Sequence, residues 1–129
     1  MRILLDTSVI IDLADVELGV YESAEPAVSA VSVAELAFGL DIDDPIERRA
    51  RTERYRAVRE QFVVVPFDVL AAEIYGTMAA VIRRAGRNPR PRRMDLQLAA
   101  TAAAHSIPLI TRELDGFAGL ERLLEVVVV

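Results

Sequence analysis

Cysteine is missing altogether from the 129 residues, so disulfides, thiolate nucleophiles, zinc knuckles and iron–sulfur sites are excluded by inventory. Lysine is missing too: all 15 basic residues are arginine, and the single histidine is His105. Chemistry that needs a side-chain amine or a pair of imidazoles is closed to this chain. No apolar run approaches the roughly 20 residues that span a bilayer, and the N-terminal run meets Asp6 too early to form an export signal. Neither membrane insertion nor export is expected, and a reducing cytoplasm suits the composition.

What is present reads as one compact domain over residues 1–129: 53% of the residues are hydrophobic, 27% are charged, and the net charge is −5. Arg2 to Leu5 is a continuous apolar run of the kind found in buried parallel strands, broken by Asp6-Thr7-Ser8. A short helix is expected over Val9 to Ala14. A second apolar segment, Ala27 to Val31, leads into Ser32 and a helix that Gly39 and the Asp41 to Pro45 cluster stop. Ile46 to Gln61 reads as a charge-rich helix with Ala50, Tyr55, Val58 and Phe62 on its apolar side, and Phe62 to Pro66 as a buried β-branched strand. Asp68 is placed to cap a helix running to about Ala85. Met94 to His105 reads as a small-residue helix, Pro108 to Thr111 as a strand, and Val126 to Val129 as a last strand or an interface segment. Alternating strands and helices with short connections imply an α/β fold, a three-layer α/β/α sandwich around a mostly parallel sheet of four or five strands.

In open parallel sheets, ligands bind beyond the carboxyl ends of the strands, so acids at those ends carry the chemistry. Asp6 follows the first strand, Glu35 lies in the first turn of the helix after the second, Asp95 starts the alanine-rich helix, and Glu113 and Asp115 follow the Leu109 to Thr111 strand. Carboxylates gathered at one edge repel one another unless a divalent cation neutralises them, and all-oxygen donors favour magnesium, with manganese as the other candidate, over zinc. Plainer roles exist for each acid. Ser32-Val33-Ala34-Glu35 matches the S-x-x-E capping box, Asp95 suits the dipole of a helix entrance, and Asp115-Gly116 suits a turn. Asp6 is harder to explain away, because a carboxylate after a buried strand is desolvated unless paired or bound to a metal. Thr7, Ser8 and Thr111 fall at the same edge and could orient a carboxylate or water. His105 ends its helix, where a structural role fits the dipole.

Six arginines fall between Arg83 and Arg93, and the loop holding Arg87, Arg90, Arg92 and Arg93 is a candidate phosphate contact for RNA. The cluster from Arg48 to Arg59 alternates with Glu47, Glu53 and Glu60 at helical spacing and reads as an ion-pair face.

Taken in order, Leu4-Leu5-Asp6-Thr7-Ser8-Val9-Ile10-Ile11, Ser32-Val33-Ala34-Glu35-Leu36, Asp95-Leu96-Gln97-Leu98-Ala99-Ala100-Thr101-Ala102 and Leu109-Ile110-Thr111-Arg112 resemble the PIN-domain ribonucleases, and specifically the VapC toxins of bacterial type II toxin–antitoxin pairs, over nearly the whole chain. The resemblance implies a PIN-like fold and a magnesium-dependent endoribonuclease in which Asp6, Glu35 and Asp95 match the family's acidic positions. It implies a fourth acid after the last active-site strand. Here the family pattern is offset: Glu113 stands two residues after Thr111, Gly116 stands before the phenylalanine, and Asp115 is displaced by one. It further implies that Thr111 organises the acids, that the chain forms a homodimer, and that a VapB-type antitoxin inserts a segment into the site. The mechanism expected is metal-activated water attacking an RNA phosphodiester, with Asp6 and Asp95 as direct metal ligands and Glu35 and Glu113 or Asp115 acting through water or a second ion. A receiver domain or a haloacid-dehalogenase-type phosphatase is disfavoured, since both bind the phosphoryl group with a lysine. The offset fourth acid leaves a second reading open, a catalytically inactive PIN-like binding module.

Overall fold

The computed structural model describes residues 1–113 and 115–129. Five strands, β1 (Arg2–Leu5), β2 (Glu25–Ser29), β3 (Val63–Val65), β4 (Leu109–Thr111) and β5 (Val126–Val128), form one sheet in the order β3-β2-β1-β4-β5. Every neighbouring pair is parallel, so the sheet is fully rather than mostly parallel. Leu4 lies between Ala27 on one side and Leu109 on the other, which puts the three most buried strands at the centre.

The helices are α1 (Thr7–Ile11), α2 (Ala30–Phe38), α3 (Pro45–Gln61), α4 (Val69–Arg84) and α5 (Arg93–Ala104). Side chains alternate across a strand, and the two faces have separate cores. Leu4, Ala27 and Leu109 pack against Met78 and Ile82 of α4 and Leu96, Ala99 and Ala102 of α5. Ile3, Leu5, Val28 and Ile110 pack against Val9 and Ile10 of α1, Val58 of α3, and Val33 and Leu36 of α2. The result is the three-layer α/β/α sandwich. Ala99, Ala100 and Ala102 of α5 are fully buried and let its backbone approach the sheet, so a larger side chain at Ala99 would overpack the core at a cost of about 1–3 kcal/mol.

Three local expectations are corrected. Helix α2 begins at Ala30, capped by Ser29, whose Oγ accepts from the Val31 amide at 3.0 Å. Ser32 therefore lies inside the helix, and Glu35 in its second turn. Strand β3 is an edge rather than a buried strand, with Val63 and Val64 at 42% and 36% exposure, because no strand follows it outward in the sheet. Ala50, expected on the apolar side of α3, is exposed, whereas Val58 is buried there. Other signals behave as read: Asp68 caps α4 by accepting from the Ala71 amide at 2.9 Å, and Gly86 takes the left-handed conformation (φ 83°) just beyond that helix. The Val126–Val128 segment pairs with β4 as the opposite edge. Among the described residues no helix is long and apolar enough to cross a membrane.

Candidate active site

The strand order reverses at β1: the chain runs outward through β2 and β3, then returns to place β4 on the other side of β1. A crevice at the carboxyl ends of β1 and β4 is the expected ligand position in such a sheet. Asp6 leaves β1 there. Its backbone carbonyl accepts from the Val9 and Ile10 amides at 2.9 and 3.1 Å, while its side chain makes no capping bond to α1. The carboxylate is free for another task. Asp6 is buried, and its Oδ2 accepts from Thr111 Oγ1 at 2.7 Å and from Ser8 Oγ at 3.2 Å. Thr111 Oγ1 in turn accepts from the Glu113 amide at 3.1 Å, which ties the loop after β4 to the same carboxylate.

Glu35 reaches the crevice from α2. Thr7 Oγ1 donates to Glu35 Oε1 at 3.1 Å and lies 2.9 Å from Ser32 Oγ. The capping box suggested by Ser32 and Glu35 does not form, since the Ser29 side chain takes the cap three residues earlier and both residues turn instead to Thr7. Burial pushes the Glu35 carboxyl above the ordinary glutamate range; the Thr7 hydrogen bond opposes the rise, and the charges of Asp95 and Asp6 add to it. Asp95, in the first turn of α5, is half-buried and also raised, first by burial and then by Asp6, with Arg92 opposing and Glu113 adding to the rise. Arg92 Nε lies 3.9 Å from Asp95 Oδ2.

Asp6, Glu35 and Asp95, from three segments of the chain, thus come within electrostatic reach of one another, and Glu113, which is exposed, within reach of Asp95. Asp115 is not among the charges that act on Glu35 or Asp95. It opens a short 3-10 turn, is exposed, and offers its backbone carbonyl to Arg92 at 3.2 Å. His105 sits just past the far end of α5, with Nε2 3.8 Å from Asp68 Oδ2 and away from the acids. Asp12 pairs with Arg112 at 2.9 Å.

Among the described residues, no three carboxylate or imidazole groups close into a metal cage by themselves. The donor set still fits a hard divalent cation, because magnesium is commonly held by one or two carboxylates with water completing its shell. A cation is also the direct remedy for carboxylates that raise one another's pKa.

The arginines divide by what they touch. Arg87 donates to the Ala118 carbonyl at 2.8 Å, and Arg92 to that of Asp115, so both clip their loop to the 115–119 turn. Arg92 also fills the space where a Cβ on Gly116 would stand, 2.9 Å from its NH2 group. Arg90 and Arg93 instead line a small hollow with Asp95. In the second cluster, Arg49–Glu53 and Arg51–Glu47 are ion pairs as the spacing implied. That reading missed one consequence of the fold: α3 brings Arg51 and Arg54 to a cleft shared with Thr7 and Glu35. Ser32 was missed as a site residue as well, and its burial beside Thr7 has no signature in the sequence.

These features define an open parallel α/β protein with an acidic centre at its topological switch point. The chain belongs to the PIN domain family, whose sequence pattern matches residues 3–123. Its structure is similar to VapBC-5, a member of the VapBC family of toxin–antitoxin systems from Mycobacterium tuberculosis, at 28% identity and a TM-score of 0.77 over 99% of this chain and 97% of that one. It is also similar to FitAcB from Neisseria gonorrhoeae (26% identity, TM-score 0.74, 98% and 96% covered). The fold is shared with VapBC2 from Rickettsia felis, a structure bound to a DNA fragment from its promoter (16% identity, TM-score 0.78, 100% and 99% covered). No curated protein sequence matches the chain. The likeness to VapC toxins read from the sequence is borne out by these comparisons.

Proposed function

We propose that the chain, acting as one PIN unit in the cytoplasm, is the toxin of a type II toxin–antitoxin module, a magnesium-dependent endoribonuclease held in check by a VapB-type antitoxin and working as a homodimer. Supporting the reading is the proximity of Asp6, Glu35 and Asp95 at the carboxyl end of β1, where burial and mutual repulsion raise Glu35 and Asp95, with Glu113 acting on Asp95. Supporting it as well is the similarity to VapBC-5, a member of the VapBC family of toxin–antitoxin systems.

Asp6 and Asp95 would hold the ion, with Glu35 and Glu113 completing its surroundings through water. A bound magnesium supplies water activation near neutral pH and charge neutralisation on the phosphodiester. The protein's own groups do the rest. Thr111 and Ser8 fix the Asp6 carboxylate by donating to it, and Thr7 holds Glu35 by one oxygen. Glu35, a carboxylate beside the ion's site, would take the proton of the attacking water. Arg90 and Arg93, beside Asp95, are placed to meet RNA phosphates. In-line attack by water leaves a 5′-phosphate and a 3′-hydroxyl.

Incubating antitoxin-free protein with total bacterial RNA and magnesium, with and without EDTA and beside Asp95→Asn, tests the reading when fragment ends are sequenced. Discrete cuts with those termini, lost in EDTA and in the variant, are expected. Ends carrying 2′,3′-cyclic phosphate would overturn it, since they report attack by the ribose hydroxyl. Absence of both cleavage and magnesium binding would favour an inactive binding module.

A further inference from the structure

A cleft of about 290 Å³ opens beside Glu35, lined by Thr7, Ile11 and Leu36 together with Arg51 and Arg54 of α3. Arg51 is committed: its Nε lies 3.1 Å from Glu47 Oε1, and its NH1 donates to the Gly39 carbonyl at 2.8 Å. Arg54 follows on the same helix face. It is partly buried, yet among the described residues it pairs with no carboxylate and donates no hydrogen bond. Of the other arginines of this helix, Arg49 pairs with Glu53, Arg48 donates to the Ile42 carbonyl and Arg59 to the Tyr55 hydroxyl, while Arg56, which has no partner among the described residues, is exposed and does not line the cleft. The Arg54 guanidinium reaches solvent in the open cleft with no protein acceptor engaged, and its planar fork of donors matches the oxygens of a phosphate or a carboxylate bidentately.

The surroundings point to a phosphate rather than a lone anion. Glu35 lines the cleft, and Asp6 and Asp95 act on it, so these carboxylates repel any RNA backbone drawn toward them and a strand needs cations on its flanks. Arg90 and Arg93 line a hollow of about 190 Å³ beside Asp95, and the Arg54 cleft lies beside Glu35. The acids therefore have an arginine site next to Asp95 and another next to Glu35. We propose that Arg54 is a phosphate-binding residue that takes a backbone phosphate of single-stranded RNA adjoining the scissile one. The inference rests on the nuclease reading, and it names a contact that positions substrate rather than one that performs the cut.

Fluorescence anisotropy with a labelled 12-nucleotide oligouridylate in EDTA, from about 50 to about 200 mM salt, tests it in four proteins: wild type, Arg54→Gln, Arg54→Lys and Arg49→Gln. Loss of one phosphate contact flattens the slope of log affinity against log salt by about 0.7 for a single strand. Arg54→Gln is expected to show that change and to bind about tenfold more weakly at the lowest salt. Arg54→Lys should restore the slope, and Arg49→Gln, in an exposed ion pair, should leave it alone. Thermal melting of each variant separates a contact from a fold defect, since Arg54→Lys keeps the charge whatever its effect on packing. An unchanged slope in Arg54→Gln overturns the proposal and assigns the cleft to a carboxylate of a protein partner. Equal losses at Arg54 and Arg49, or no binding of oligouridylate by wild type, overturn it as well. Failure of the nuclease reading is seen elsewhere, as absent metal-dependent cleavage of total RNA, and a slope that still depends on Arg54 would keep the phosphate site while removing the enzyme.

Discussion

Asp95→Asn is expected to make the protein more stable at neutral pH while removing its proposed activity. In the folded state the Asp95 carboxyl is raised by burial and by Asp6, more than Arg92 offsets. An acid whose folded pKa lies above its unfolded one is penalised in its charged form, so the penalty is full above the folded value and disappears as pH falls through it. Asparagine has the same shape and no charge. Because the side chain is 44% exposed, solvent screens the repulsion, and the gain is set at about 0.5–1 kcal/mol rather than more. For a chain of this size that corresponds to a rise in Tm of roughly 2–4 °C. Glu35→Gln should act in the same direction, since its carboxyl is also raised and the amide oxygen can keep the Thr7 bond. The assay is thermal unfolding by circular dichroism, repeated from about pH 7 to about pH 4.5. The variant's advantage should shrink on acidification as the wild-type carboxyl protonates. Magnesium should then raise the Tm of wild type more than that of the variant, by ligand linkage. Destabilisation by Asp95→Asn at neutral pH, or an advantage independent of pH, would refute the claim that this carboxylate is held against its own electrostatic preference.

The fourth acid is decided by a paired substitution. Glu113→Gln should lower cleavage of RNA at least about tenfold, and Asp115→Asn should change it by less than about threefold, because Glu113, unlike Asp115, is among the charges acting on Asp95. The reverse order in single-turnover rates would transfer the role to Asp115. Thr111→Val keeps the shape of a fully buried side chain but removes the 2.7 Å donor to Asp6 and the acceptor for the Glu113 amide, at an expected cost of about 1.5–3 kcal/mol in urea unfolding. A loss below about 0.5 kcal/mol would mean that Ser8 and solvent replace the contact.

Much of this arrangement was legible before folding was considered. Uninterrupted apolar runs announced parallel strands, Asp68 and Gly86 marked helix ends by their own chemistry, and the acids after strands announced the site. The failures share a cause. Ser29 and Ser32 are equally good caps in a linear reading, and the choice fell to Ser29 because β2 runs on to that residue, opposite Val65, which leaves Ser32 to be buried against Thr7. Val63 and Val64 have the composition of a buried strand, but burial depends on having neighbours on both sides, and β3 has one. The charge alternation on α3 predicted ion pairs correctly and still could not show that Arg54 would be the arginine left without one beside Glu35.

The sequence by itself determined the elements, the parallel α/β class and the set of oxygen donors, because hydrophobic period, capping chemistry and residue inventory act over a few positions of the chain. The tertiary structure alone decided which donors meet. Placing β4 beside β1 brings Thr111 to Asp6 across 105 positions of sequence, and packing α2 against the same crevice brings Glu35 to Thr7. The same step separated Glu113 from Asp115 and gave Arg87 and Arg92 backbone partners while leaving Arg54 open. Contacts of that range are set by strand order and crossover geometry, which no local pattern of residues contains.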